Sequence, residues 1–312
     1  MEKTNVSNSK KNTKKFIRQI PFFLMLILPI IWYIVFCYLP MIGIVIGFQD
    51  YVPGDPLFFG ANWVGFKHLN IFISGPFFYR LMRNTIVLAF YGLIIGFPAP
   101  IILALLINEV TNKKVVKAVQ NITYLPHFIA VVIICGIIID FASLDGLFNG
   151  IKGLFVDTPP INYLNDKNFY RPIYVLSDVW AGIGWGSIIY IAALAGVDPT
   201  LYEAAEMDGA GRLKQMWHIS LPSIKNTIVI LFILATGGLL ASNLEKTMLL
   251  ARPITYEVSD VISFYVYRKG IEETQYSFST AVSLFVSVVT LIFVFTSNYI
   301  SKKASEDNSS LF

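Results

Sequence analysis

The chain has 312 residues, of which 55% are hydrophobic and only 14% charged, with a net charge of +4 and a mean hydropathy of +0.62. A soluble domain carries about 25% charged residues, so composition excludes a soluble globular protein, a disordered chain and a nucleic-acid binder with a basic face. What remains is a polytopic membrane protein. Its two cysteines, Cys37 and Cys135, lie inside apolar runs and read as small buried hydrophobes rather than as a disulfide.

A helix needs about 20 apolar residues to cross roughly 30 Å of hydrocarbon, and six stretches qualify. The first covers 20–48 and contains Pro29 and Pro40. The second covers 85–107, with Pro98 and Pro100, and the third covers 118–139, broken by Pro126. The fourth is the glycine-rich stretch 172–195. The fifth is 227–241, with Gly237 and Gly238, and the sixth is 278–300. Proline is tolerated in a span where neighbours or water satisfy the freed carbonyls. Between the first two spans, 70–83 mixes Phe72, Phe77, Phe78 and Tyr79 with Arg80 and Arg83, a pattern expected of a helix lying at the membrane interface.

Lys3, Lys10, Lys11, Lys14, Lys15 and Arg18 face a single acid, Glu2, in the first 19 residues, which places the N-terminus in the cytoplasm by the positive-inside rule. Six spans return the C-terminus to the same side, where Lys302 and Lys303 follow the last one. The loops assigned to the inside are denser in Lys and Arg than those assigned outside. The first run is too long for a secretory signal and lacks a small-x-small cleavage site. The expected organisation is a basic tail 1–19, an all-α six-span domain 20–300 and a cytoplasmic tail 301–312.

The most informative cytoplasmic segment is 196–222, G-V-D-P-T-L-Y-E-A-A-E-M-D-G-A-G-R-L-K-Q-M-W-H-I-S-L-P. Asp198 suits the cap of a short helix, Pro199 its first position, and Gly209 and Gly211 its end. Leu201, Ala204 and Ala205 form a narrow apolar face, with Glu203 and Glu206 beside it. So short a helix is marginal alone and is expected to dock, either in a foreign cleft or on the chain's own spans.

The run E-A-A-x-x-D-G-A followed by I-x-L-P, carried by Glu203, Ala204, Ala205, Asp208, Gly209, Ala210, Ile219, Leu221 and Pro222, resembles the EAA loop of binding-protein-dependent ABC importer permeases. Y-L-P at 38–40, the stretch 97–100, Y-L-P-H-F at 124–128, W-x-G-I-G-W-G-S at 180–187 and Q-Y-S-F at 275–278 look like the carbohydrate-uptake, maltose-permease-like branch. Within it they look most like LplB-like permeases for complex oligosaccharides. The chain departs from that subgroup at Lys246 and at Arg252 and Pro253.

The resemblance implies a type I ABC importer permease fold in a bacterial cytoplasmic membrane. Its partners would be a second homologous permease, two ABC ATPase subunits and an extracellular substrate-binding protein. The EAA segment would be a coupling helix, with Leu201, Glu203, Ala204, Ala205, Asp208 and Gly209 meeting the ATPase. The chain has no G-x-x-x-x-G-K-[ST] phosphate loop. It is therefore expected to be no enzyme and to hold no cofactor, with ATP and Mg on the partner ATPase.

Ionisable groups inside spans are costly and by default mark a pathway. His127 falls in the third span and Asp178 in the fourth. Asp178, Gly182 and Trp185 share one helical face, offering a carboxylate for sugar hydroxyls, a bare backbone for close approach and an indole for stacking. His127 and Val131 share another. The maltose-permease resemblance carries its sugar site onto His127, Val131, Asp178, Gly182, Trp185, Leu239 and Ser242, and Asn243 with Glu245 at the outer end of the fifth span are weaker candidates. The competing readings are a same-fold permease for a peptide or polyamine, and a self-sufficient secondary transporter or membrane enzyme. Against the last, His68, His127 and His218 fall in an outside loop, a span and a cytoplasmic loop, and so make no metal cluster.

Overall fold

The computed structural model describes residue 19 and residues 21–56, 60–238, 240 and 242–304. The basic tail apart from Gln19, the end of the 301–312 tail and the candidate Leu239 lie outside the described residues. Four unbroken helices are long and apolar enough to cross a membrane: Pro21–Phe48, Phe78–Asn108, Lys167–Leu194 and Tyr276–Tyr299. Two further spans are bent pairs, Lys113–Phe128 with Val131–Phe141 at 103° and Arg212–Ser223 with Lys225–Gly237 at 63°. The six expected spans are therefore present, two of them broken. The described β-structure is a two-residue antiparallel ladder, Gln49 with Trp63 and Asp50 with Asn62, which closes the loop after the first span. Lys67 hydrogen-bonds Asp50 at 2.6 Å beside it and holds that carboxyl below its ordinary range.

The prolines shape the spans in a consistent way. Proline lacks an N–H, and its ring collides with the carbonyl four residues back. Pro40, Pro98 and Pro222 each follow by two residues a five-residue π turn, at Ile34–Tyr38, Gly92–Gly96 and Met216–Ser220. The middle residue of each turn, Phe36, Ile94 or His218, bears the carbonyl that the ring would strike. Widening the turn there moves the carbonyl aside and lets the helix continue. Pro126 acts differently. It sits in the 3-10 turn Leu125–Phe128, after which Ile129 and Ala130 turn extended, and the third span bends sharply.

The segment 70–83 is not one interfacial helix. Gly75 and Pro76 divide it, so that Lys67–Ile73 forms a separate helix and Phe78 opens the second span. Phe72 and Leu81, from either side of the break, instead pack with Ile262, Phe278 and Val282 in a buried cluster. A second cluster joins Ile101 and Ala104 to Tyr190, Leu194 and Ile224, and a third gathers Ile134, Cys135 and Ile138 against Tyr170, Val175 and Val261. Cys135 is fully buried, as its apolar context requires, and Cys37 is half-buried. Nothing in the most apolar window of the first span is buried. That surface is available only to lipid or to another chain.

A polar network fastens the loop after the fifth span to the second and fourth spans. Asp260, fully buried, accepts from Arg80 at 2.8 Å and Arg268 at 2.5 Å. Asn84, also buried, donates to the carbonyls of Glu257 and Asp260 at 3.0 Å and accepts from Arg171 at 2.8 Å. Lys167 pairs with Glu257. Removing one member of a buried ion pair costs about 3–5 kcal/mol because the other charge is stranded. Asp260→Asn keeps an acceptor oxygen, so a smaller loss of about 2 kcal/mol is expected. It should appear as a lower unfolding midpoint of the purified protein, with the Asn84 bonds still formed.

Candidate functional site

The short helix of the 196–222 loop forms as its residues dictate. It spans Pro199–Met207, and the Asp198 side chain caps it by accepting from the Thr200 N–H at 3.0 Å. That bond and the Thr200 hydroxyl hold the Asp198 carboxyl below its ordinary range. At the other end Ala210 N–H reaches Ala205 O at 2.8 Å and Gly209 N–H reaches Glu206 O at 3.0 Å. This paired closure requires a left-handed residue after the cap, and Gly209 supplies it with φ +75°. Gly211 caps the following helix, Arg212–Gln215.

One side of this helix rests on the chain itself, since Tyr202 OH shares a 2.9 Å hydrogen bond with Ser220 Oγ and Ala205 is half-buried. The other side is open. Leu201, Glu203, Ala204, Met207 and Asp208 are exposed, with Met207 at 89%, and Leu213 and Trp217 of the next turns are exposed as well. An apolar strip with an acidic edge, fixed at both ends but uncovered, is suited to a partner.

The sugar-site candidates separate into two groups. Asp178, Ser242 and Asn243 line one cavity of about 490 Å³ between the second, fourth and fifth spans, with Thr85, Tyr174 and Gly92 among its other walls. Asn243 also caps the helix Leu244–Leu250, its side chain accepting from Lys246 N–H at 3.1 Å, and Ser242 shares a 2.6 Å hydrogen bond with Ser263. The second group is aromatic. His127 stacks on Trp185 with ring centres 4.5 Å apart and planes 7° apart, and Phe128 meets Trp185 edge-on at 5.8 Å. Asp178 and Trp185 lie on the same helix about 10 Å apart along its axis.

One expectation fails on geometry. His127 and Val131 do not share a helical face, because the bend at Ile129 and Ala130 falls between them; Val131 instead packs on the cluster around Cys135. Gly182 leaves open space beside its helix, since a Cβ there would meet nothing within 4 Å. The glycine that meets a neighbouring helix lies two residues on. A Cβ at Gly184 would stand 2.1 Å from the carbonyl oxygen of Thr123, so here the third and fourth spans touch backbone to backbone. Glu245 is exposed, in the first turn of its helix.

Lys246, which sequence reasoning marked only as a departure from the subgroup, occupies the site. Its side chain is 3% exposed and donates to Asp178 Oδ1 at 2.6 Å and to Tyr174 O at 2.7 Å, with the Tyr174 ring centre at 4.4 Å. The signal available in the sequence was the rarity of charge in spans. A carboxylate in the fourth span calls for a cation nearby.

Six apolar spans, a partly polar cavity among three of them and an uncovered amphipathic helix are the build of a multi-pass membrane transport component. Residues 72–306 match the family described as the binding-protein-dependent transport system inner membrane component, and the chain belongs to it. It is thus a multi-pass transporter component rather than an enzyme. It is 42% identical over 286 residues to Protein LplB of Bacillus subtilis, covering 91% of this chain and 89% of that one. It is 43% identical over 293 residues to the polygalacturonan/rhamnogalacturonan transport system permease protein YteP of the same organism, covering 94% and 91%. Among solved structures it resembles a chain of a bacterial ABC transporter involved in the import of the acidic polysaccharide alginate, with TM-score 0.86 and 38% identity, covering 95% of this chain and 100% of that one. The same is true of an alginate ABC transporter in complex with an alginate pentasaccharide-bound periplasmic protein, with TM-score 0.85 and 38% identity over 94% and 98% of the two chains.

Proposed function

We propose that this chain is one permease subunit of an ABC importer for oligosaccharides, in a bacterial cytoplasmic membrane with both termini inside. It pairs with a second homologous permease, takes cargo from an extracellular substrate-binding protein and is driven by two ATPase subunits that hold the ATP and Mg. The observation that carries the reading is the Pro199–Met207 helix, capped at both ends, tethered through Tyr202 and open along Leu201, Glu203 and Ala204. Closure of the ATPase pair would shift that helix and rock the spans joined to it.

The sugar path in this reading runs from the cavity at Asp178, Ser242 and Asn243 to the ring pair His127 and Trp185. The carboxylate and hydroxyls accept and donate to sugar hydroxyls, and the indole stacks on an apolar sugar face. A polyamine cargo needs an uncompensated carboxylate, and Asp178 is already paired with Lys246. The test is sugar transport by the reconstituted complex. Trp185→Ala and Asp178→Ala are each expected to lower it at least about tenfold, the loss of one stacking or charge-assisted contact, with assembly intact. Full transport in both variants would place the path elsewhere.

A further inference from the structure

The ion pair at the cavity wall is arranged asymmetrically. Lys246 reaches it from the helix Leu244–Leu250 and is almost wholly buried. An ammonium has three donor directions. Two go to Asp178 and the Tyr174 carbonyl, and the ring of Tyr174 lies within cation–π range. Asp178 is 53% exposed and gives only Oδ1 to the lysine, so its other oxygen is available to the cavity. The cation is locked behind the wall and the anion is displayed on it. Among the described residues lining this cavity, Asp178 is the only charged one. Within this cavity, the charge that a cargo meets is therefore set by this pair.

We propose that Lys246 is a specificity-determining residue: by neutralising Asp178 from behind, it lets the cavity admit sugar units bearing carboxylates, uronates, alongside neutral ones. The inference rests on the reading of this cavity as the sugar path. With the lysine present the wall sums to zero, and Asp178 accepts from sugar hydroxyls without repelling an acidic ring. Without it, a bare carboxylate faces the cargo. With Asp178 neutralised instead, the buried ammonium is left uncompensated and attracts anions. A unit charge several ångströms from a bound carboxylate changes affinity about tenfold or more inside a protein. Such selectivity is read as a difference between two ligands.

The experiment measures calorimetric binding of tri-galacturonate and of galactotriose to the purified permease–ATPase complex at fixed ionic strength. Wild type is compared with Lys246→Met, Asp178→Asn and the double variant. Relative to the neutral sugar, the uronate is expected to bind about tenfold more weakly in Lys246→Met and about tenfold more tightly in Asp178→Asn. The double variant should return to within about threefold of wild type, because both charges are gone. A purely structural lysine would weaken both sugars together, so equal losses, or shifts of the same sign in both single variants, overturn the proposal while leaving the cavity as the sugar path. If Lys246→Met fails to assemble, Asp178→Asn alone decides, and no gain for the uronate overturns it. Binding of both sugars that none of the variants alters, or no binding of either to wild type, removes the cavity as the sugar path and the proposal with it.

Discussion

Replacing Glu203 with Lys is expected to leave the chain inserted and its spans packed, while lowering binding-protein-stimulated ATP hydrolysis and transport at least about 30-fold, the usual consequence of losing a desolvated interfacial charge pair. Glu203 is exposed and takes no part in the packing of Tyr202 on Ser220, so the substitution leaves the body of the protein untouched. What changes is the acidic edge of the strip formed by Leu201, Ala204 and Met207, which in the proposed assembly sits in a cleft of the ATPase. Gly209→Val should give the same phenotype by another route. At φ +75° a β-branched side chain is strained by on the order of 1–3 kcal/mol, which opens the Ala210-to-Ala205 closure and frees the helix end. The measurement is ATPase rate with and without loaded binding protein, beside co-purification of the ATPase. Wild-type coupling in both variants would reduce this helix to a loop packed on its own spans.

Gly184→Ala is expected to abolish assembly. The nearest atoms to a Cβ there are the carbonyl oxygen and carbon of Thr123 at 2.1 and 2.4 Å and the nitrogen of Tyr124 at 2.8 Å. All are backbone, so no rotamer change relieves the contact, and the two helices must separate. Overpacking costs about 1–3 kcal/mol where side chains can yield and more where they cannot. In lipid, moreover, close helix contact supplies much of the association energy. The same movement displaces the stack of His127 on Trp185, which straddles this contact. Size-exclusion profile and yield of the purified complex read the effect. Gly136→Ala, where a Cβ meets nothing within 4 Å, should fold as wild type and serves as the control. A monodisperse Gly184→Ala complex would show that the third and fourth spans can shift past each other.

Much of the architecture was legible in the residues because bilayer thickness dictates it. An apolar run of the right length has few alternatives, and all six runs are helical. The Pro199–Met207 helix was equally legible, since Asp198, Pro199 and Gly209 act on their immediate neighbours. The segment 70–83 misled because Gly75 and Pro76 break a pattern that otherwise reads as continuous.

The sequence by itself determined the spans, the capped Pro199–Met207 helix and the rarity of charge that singles out Asp178, because each depends on local backbone chemistry or on the cost of polar groups in lipid. Only the tertiary structure decided that Lys246, 68 residues further along the chain, is the partner of Asp178. It alone decided that Gly184 meets the third span backbone to backbone, and that His127, just before the 103° bend, stacks on Trp185. These are distances between helices, set by how side-chain surfaces settle against one another, and no periodicity along a single chain encodes them.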